Sequence, residues 1–124
     1  MAAKTDSLRV LFCMEVTQRF FDSPKSAHPA IFDAFDRTRR DLEGRFGIRV
    51  LGTIDDDRIA VGPAIGRSWT SYILADVPDY ESVVAFCNQF RTTAVGDSDE
   101  LLWKYARVEA RIGRPLAFEL NKRT

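Results

Sequence analysis

The sequence predicts an α+β domain, a four-stranded antiparallel sheet with two helices packed on one of its faces. Three observations carry that expectation. The chain has 124 residues, enough for one hydrophobic core and one domain. Short stretches of alternating apolar and polar residues recur along it, which is the period of half-buried strands. Two longer stretches repeat their apolar residues at helical spacing, and they interleave with the strands in the order strand, helix, strand, strand, helix, strand.

The first strand covers residues 8–17, LRVLFCMEVT. Successive strand residues point to opposite sides. Leu8, Val10, Phe12, Met14 and Val16 therefore share one face, and Arg9, Leu11, Cys13, Glu15 and Thr17 the other. A long connection, QRFFDSPKSAHPA, ends in helix-start signals, with Ser23 before Pro24 and Ser26 ahead of Pro29. The first helix is expected over residues 29–46. Ile31, Phe35, Thr38, Leu42 and Phe46 form its buried stripe, and Gly47 is its left-handed cap. Residues 48–54, IRVLGTI, read as the second strand, with Ile48, Val50 and Ile54 on one face and Arg49, Leu51 and Thr53 on the other. Asp55, Asp56 and Asp57 make a turn, and Gly62, Pro63 and Gly66 predict an irregular excursion across 58–67. The third strand is expected at 68–77. Pro78 and Asp79 then introduce a second helix over 80–93, with Tyr80, Val83, Val84, Cys87 and Phe90 as its stripe and Gly96 as its stop. The last strand covers 103–112, and Pro115 ends its pairing. Residues 1–6 and 117–124 are expected as peripheral tails of a single domain spanning 1–124.

Composition narrows the partners. Lys plus Arg and Asp plus Glu number 18 each, and this balance argues against a nucleic-acid partner, which calls for a net basic face. No apolar run reaches the length of a membrane span, and the first residues lack the zones of a signal peptide, so the expectation is a cytoplasmic protein with no membrane partner. Phe is unusually frequent, with nine copies, suited either to core filling or to an apolar ligand pocket. Cys13 and Cys87 stand in no metal-ligand spacing and are expected as reduced thiols. No metal and no cofactor are expected, since His28 is the single histidine and the acidic run at 55–57 lacks the spacing of a calcium loop.

Two interleaved strand–helix–strand crossovers produce the ferredoxin-like βαββαβ arrangement. Two helices cover only one face of its sheet. The other face carries Leu11, Leu51 and Leu74 among polar residues, so a homodimer closed through the bare faces is the simplest way to cover it. The element order, the chain length and the stretch VPDYESVVAF, a proline-then-acid helix start after the third strand, resemble the dimeric α/β-barrel superfamily of muconolactone isomerases, antibiotic-biosynthesis monooxygenases and polyketide cyclases. The resemblance covers most of residues 8–113. It implies a dimeric α/β barrel in which the polar face of the last strand looks into an enclosed space.

That face raises the candidate site. In YARVEARIGRPL, residues 105–116, strand alternation puts Ala106, Val108, Ala110 and Ile112 on one side and Tyr105, Arg107, Glu109 and Arg111 on the other. Matching parity across the strands adds Glu15, Arg49 and Tyr72, with Trp69 and Ser71 as alternatives to Tyr72. Glu15 and Glu109 are the candidate proton-transfer groups, because a partly desolvated carboxylate holds its proton more readily. Arg49, Tyr72, Tyr105 and Arg107 are the candidate substrate-binding groups, with an arginine clamping a substrate carboxylate. The alternative is that Glu15, Arg107 and Glu109 form a structural charge network at a dimer interface. His28, ahead of Pro29 at the helix start, reads as a third catalytic base, or as a surface loop residue or an N-cap. The functional expectation is a cofactor-independent enzyme performing proton transfer, an isomerase, cyclase or lyase, on an aromatic or cyclic acid. The alternatives are a cofactor-free monooxygenase and a non-catalytic ligand-binding dimer.

Overall fold

The computed structural model describes residues 7–59, 61–62 and 69–116. Its elements are β1 (Leu8–Val16), α1 (Gln18–Asp22), a 3-10 turn (Lys25–Ala27), α2 (His28–Thr38), α3 (Leu42–Phe46), β2 (Arg49–Asp55), β3 (Ser71–Val77), α4 (Tyr80–Thr92), a second 3-10 turn (Leu102–Lys104) and β4 (Ala106–Gly113). The four strands form one sheet in the order β2-β3-β1-β4, antiparallel throughout. This is the ferredoxin-like topology. The expected tails and the excursion around Pro63 and Gly66 lie outside the described residues.

The core occupies the helix side of the sheet. Val10, Phe12 and Met14 of β1 are buried there with Ile73, Ala75 and Val77 of β3 and Ala106 of β4. Phenylalanine fills it. The Phe86 ring on α4 meets Phe12 at 4.5 Å between centroids and Phe90 at 6.1 Å, and Phe90 meets Phe35 of α2 at 5.6 Å. Each such ring, fully buried, contributes about 1.5–3 kcal/mol. Thr38 is the one polar residue within the described core. Its hydroxyl donates to the Phe35 carbonyl at 2.6 Å, and its own carbonyl accepts from the Gln89 side chain at 2.8 Å, which ties α2 to α4.

Local chemistry departs from the expected boundaries in four places. The connection after β1 is partly helical, as α1. The helix expected over 29–46 is broken between Thr38 and Leu42. Asp41 adopts left-handed φ of 47° and caps α3 by accepting from the Gly44 amide at 3.2 Å, so a side chain suited to turns wins over helical periodicity. In β2 a bulge between Val50 and Gly52 shifts the register, pairing Thr53 with Ile73 and Ile54 with Tyr72. Ile54 therefore leaves the face of Val50 and joins Tyr72 and Leu74, while Thr53 turns to the helix side. Finally, β4 begins at Ala106 and not at 103, because Leu102–Lys104 coil into the 3-10 turn. Gly47 ends α3 with φ of 70° as expected, and Asp79 caps α4, accepting from the Ser82 amide at 2.8 Å.

Candidate functional site

The bare face of the sheet follows from the register. It carries Arg9, Leu11, Cys13 and Glu15 on β1, and Arg107, Glu109 and Arg111 on β4. Glu15 is directly opposite Arg107, Cys13 opposite Glu109 and Leu11 opposite Arg111. From β3 it carries Tyr72, Leu74 and Asp76, with Tyr72 opposite Cys13 and Leu74 opposite Leu11. Arg49 lies beside Asp76 on β2. Glu15, Arg49, Tyr72, Arg107 and Glu109 thus share one face, and Tyr72 takes the position left open to Ser71, which turns to the helix side.

Tyr105 does not belong to this row. It sits at the end of the 3-10 turn with αR backbone, before the strand alternation begins. It is buried in the core, and its hydroxyl donates to the Glu100 carboxylate. That hydrogen bond, then burial, pushes the phenol up from its ordinary value. The same carboxylate accepts from Lys104, and these two donors hold Glu100 below the usual range. Tyr105 fastens the turn onto the core and is withdrawn from the substrate-binding set.

The charges on the face pair along lines the sequence left open. Arg111 donates to Glu109 at 2.7 Å, and Arg9 donates to Asp76 at 2.7 Å. The Arg111 guanidinium is raised further from neutrality by the Glu109 hydrogen bond. Arg107 is exposed in a single chain. Tyr72 has its hydroxyl 3.1 Å from both the Asp56 carboxylate and the Trp69 carbonyl. Desolvation and the Asp56 hydrogen bond raise its phenol, so it remains a donor at neutral pH. Around it, Leu11, Gly52, Thr53, Ile54 and Leu74 line a shallow, mainly apolar hollow of about 210 Å³.

His28 stands apart from that face. It opens α2, stacks on Phe20 at 4.2 Å and places Nε2 3.2 Å from the Phe20 carbonyl oxygen. A carbonyl only accepts, so Nε2 carries the proton. This contact clasps α1 to α2 within a cluster that includes Phe21 and Phe32. It gives His28 a structural role as the first residue of α2, after the N-cap Ala27, and fits neither the surface loop residue nor the base facing the polar row that the sequence suggested.

The second cleft was not visible in the sequence. It lies on the helix side at the β2 edge, with a volume of about 280 Å³. Met14, Leu42, Val50 and Ile73 form its apolar lining. Thr53, Asp55 and Ser71 supply polar groups from the helix-side positions of the β2–β3 pair, where Asp55 is opposite Ser71. Arg39 closes it from the α2–α3 turn, its guanidinium 4.7 Å over the Phe35 ring and 3.3 Å from Asp36. Thr53, Ile54 and Tyr72 line both hollows, so the two approach each other at this corner of the sheet. Arg39 reads in the sequence as part of a solvated helix face, and Asp55 as a solvated turn. No local pattern marks either, because the cleft joins residues from three separate segments. Among the described residues no group of three or more His, Cys, Asp and Glu is placed to hold a metal ion, and no described helix is long and apolar enough to cross a membrane.

No protein-family model matches the chain, and no curated protein matches it. Among solved structures it is similar to a dimeric protein of unknown function with a ferredoxin-like fold from Bacteroides fragilis. The identity is 10% and the TM-score 0.37, over 85% of this chain and 94% of that one. At that distance the likeness carries no argument about function, and the fold rests on the strand order and register given above.

Proposed function

We propose that the chain is a cofactor-independent small-molecule protein that binds a compact, largely apolar acid in the cleft between the β2–β3 pair and the α2–α3 turn. The observation that carries this reading is the cleft's lining, an apolar floor of Met14, Leu42 and Ile73 with one guanidinium, that of Arg39, at its wall. Ligand sites combine such walls with a few placed polar groups, and their volumes start at roughly 300 Å³. A cleft of about 280 Å³ suits a ring or short chain bearing one carboxylate. Arginine presents a planar fork of donors to a carboxylate. The lining also offers a carboxylate and hydroxyls, groups that move protons, so isomerisation or cyclisation of an aromatic or cyclic acid is the reaction class it fits. Oxygen uptake with a bound acid would instead favour the cofactor-free monooxygenase reading.

The bare face is proposed as a homodimer interface. It combines the apolar Leu11, Ile54 and Leu74 with both signs of charge, so a two-fold related copy can lay guanidinium against carboxylate. Glu15, Arg49, Arg107 and Glu109 then belong to that interface, and the ligand site is on the helix side. The test is calorimetric titration with 3-phenylpropanoate. Binding that weakens by roughly tenfold to a hundredfold in Arg39→Ala, and is unchanged in Arg40→Ala on the neighbouring exposed turn, supports the reading. Equal affinities in all three proteins, or no binding, would remove it.

A further inference from the structure

Resting on this placement of the ligand, we infer a finer substrate class: an acid that also carries a hydrogen-bond donor, a hydroxyl or an amine, at the end remote from its carboxylate. The cleft is asymmetric along β2. Arg39 lines both this cleft and the neighbouring surface groove with Ile48 and Arg49, so it stands toward the start of the strand. Asp55 and its cross-strand partner Ser71 stand at the strand's other end. Val50 pairs with Ala75 and Asp55 with Ser71, so the bulge leaves four strand steps between those ends, about 13 Å, and the lining between them is mainly Val50, Ile73 and Met14.

The two ends want opposite chemistry. A guanidinium is donor only, and an ionised aspartate is acceptor only. An acid with no distal polar group satisfies Arg39 and leaves the Asp55 carboxylate to water. An acid with a distal hydroxyl or amine satisfies both ends at once, with Ser71 and Thr53 able to donate or accept beside Asp55. A dicarboxylate is disfavoured, since its second anion would meet Asp55. The bulge at Val50–Gly52 makes this arrangement: without the register shift, Thr53 and Asp55 would face away from the helices.

The test compares 3-phenylpropanoate with 3-(4-hydroxyphenyl)propanoate and 3-(4-aminophenyl)propanoate by titration calorimetry on the full chain, in wild type, Asp55→Ala and Arg39→Ala. The expected result is that a donor-bearing acid binds wild type roughly tenfold more tightly than the parent acid, as for a hydrogen bond to a charged group. Asp55→Ala should erase that preference, so that the three acids bind this variant with equal affinity. Arg39→Ala should weaken all of them alike. Asp55 is exposed, so its truncation spares the core, and circular dichroism checks that the fold is kept. If all three acids bind equally in an Arg39-dependent way and Asp55→Ala changes nothing, the donor-bearing class is wrong and the cleft reading stands. If none binds, both fall together.

Discussion

Cys87 shows how one side chain's surroundings become a pH dependence. It lies on α4 against the core, and burial pushes its thiol from 9.0 up to about 11. The folded protein therefore holds this proton more tightly than the unfolded chain does. Any stability that depends on it is intact below pH 9 and is lost as pH rises toward about 11. Urea midpoints measured from pH 8 to pH 11 should fall more steeply in wild type than in Cys87→Ala, and parallel curves would contradict the assignment. At pH 8 the native thiol should alkylate slowly with iodoacetamide and rapidly once urea is added, because the thiolate is the reactive form. Cys13 is buried on the opposite side of the sheet, opposite Tyr72 and Glu109. No disulfide joins Cys13 and Cys87.

Elements here end where a backbone requirement is met. Gly47 closes α3 at φ of 70°, with its amide donating to the Glu43 carbonyl at 2.8 Å and the next amide, of Ile48, donating to Leu42 at 3.1 Å. A Cβ at Gly47 would lie 3.2 Å from Pro78 Cγ, a close contact with the segment that opens α4. Gly47→Ala is expected to cost about 1–2 kcal/mol for forcing an L-residue into the left-handed region, with the Pro78 contact adding to it. Gly47→Asn should cost less backbone strain, since asparagine tolerates this conformation. Chemical denaturation of the two variants measures the difference. Position 47 also leads directly into β2, so a loosened cap is expected to weaken the acid binding proposed for the adjoining cleft.

At the scale of the whole molecule the open question is what covers the bare sheet. Leu74 is 38% exposed and Ile54 58%, large values for apolar residues on a sheet of this size, and they flank the charged rows of β1 and β4. Sedimentation at micromolar concentration should show a dimer for wild type and a monomer for Leu74→Asp, with unchanged far-ultraviolet circular dichroism. A wild-type monomer would remove the dimer reading. Arg107→Ala adds a second measure. In a monomer Arg107 is exposed, and an exposed charge contributes at most ~0–1 kcal/mol through its neighbours, so in the Leu74→Asp background the change should be nearly silent. In the dimer, where Arg107 and the opposed Glu15 become covered, it should cost clearly more.

What the sequence determined by itself rests on local period and local caps, and it fell short on α4, where Phe86 is buried while Tyr80 and Val84 of the expected stripe are exposed and the helix ends at Thr92, ahead of Gly96. Alternation in LRVLFCMEV assigned the buried face of β1 correctly, the strand order followed from the element order, and Gly47 and Asp79 marked their helix ends. Glu15, Arg49, Tyr72, Arg107 and Glu109 were placed on one face for the same reason. What only the tertiary structure decided lies where long-range contacts override the local period. Tyr105 fits the strand pattern, yet hydrogen bonds from Leu102 to Thr93 and from Thr17 to Tyr105 hold its segment as a turn and send its ring into the core. Ile54 and Thr53 exchange faces because one bulge in β2 is fixed by pairing with β3, and a period of two cannot survive a single inserted residue. Arg39, Asp55 and Ser71 come from a turn and two strands, and their shared cleft exists only after those segments pack. A pattern within one segment holds no record of a cavity formed between three.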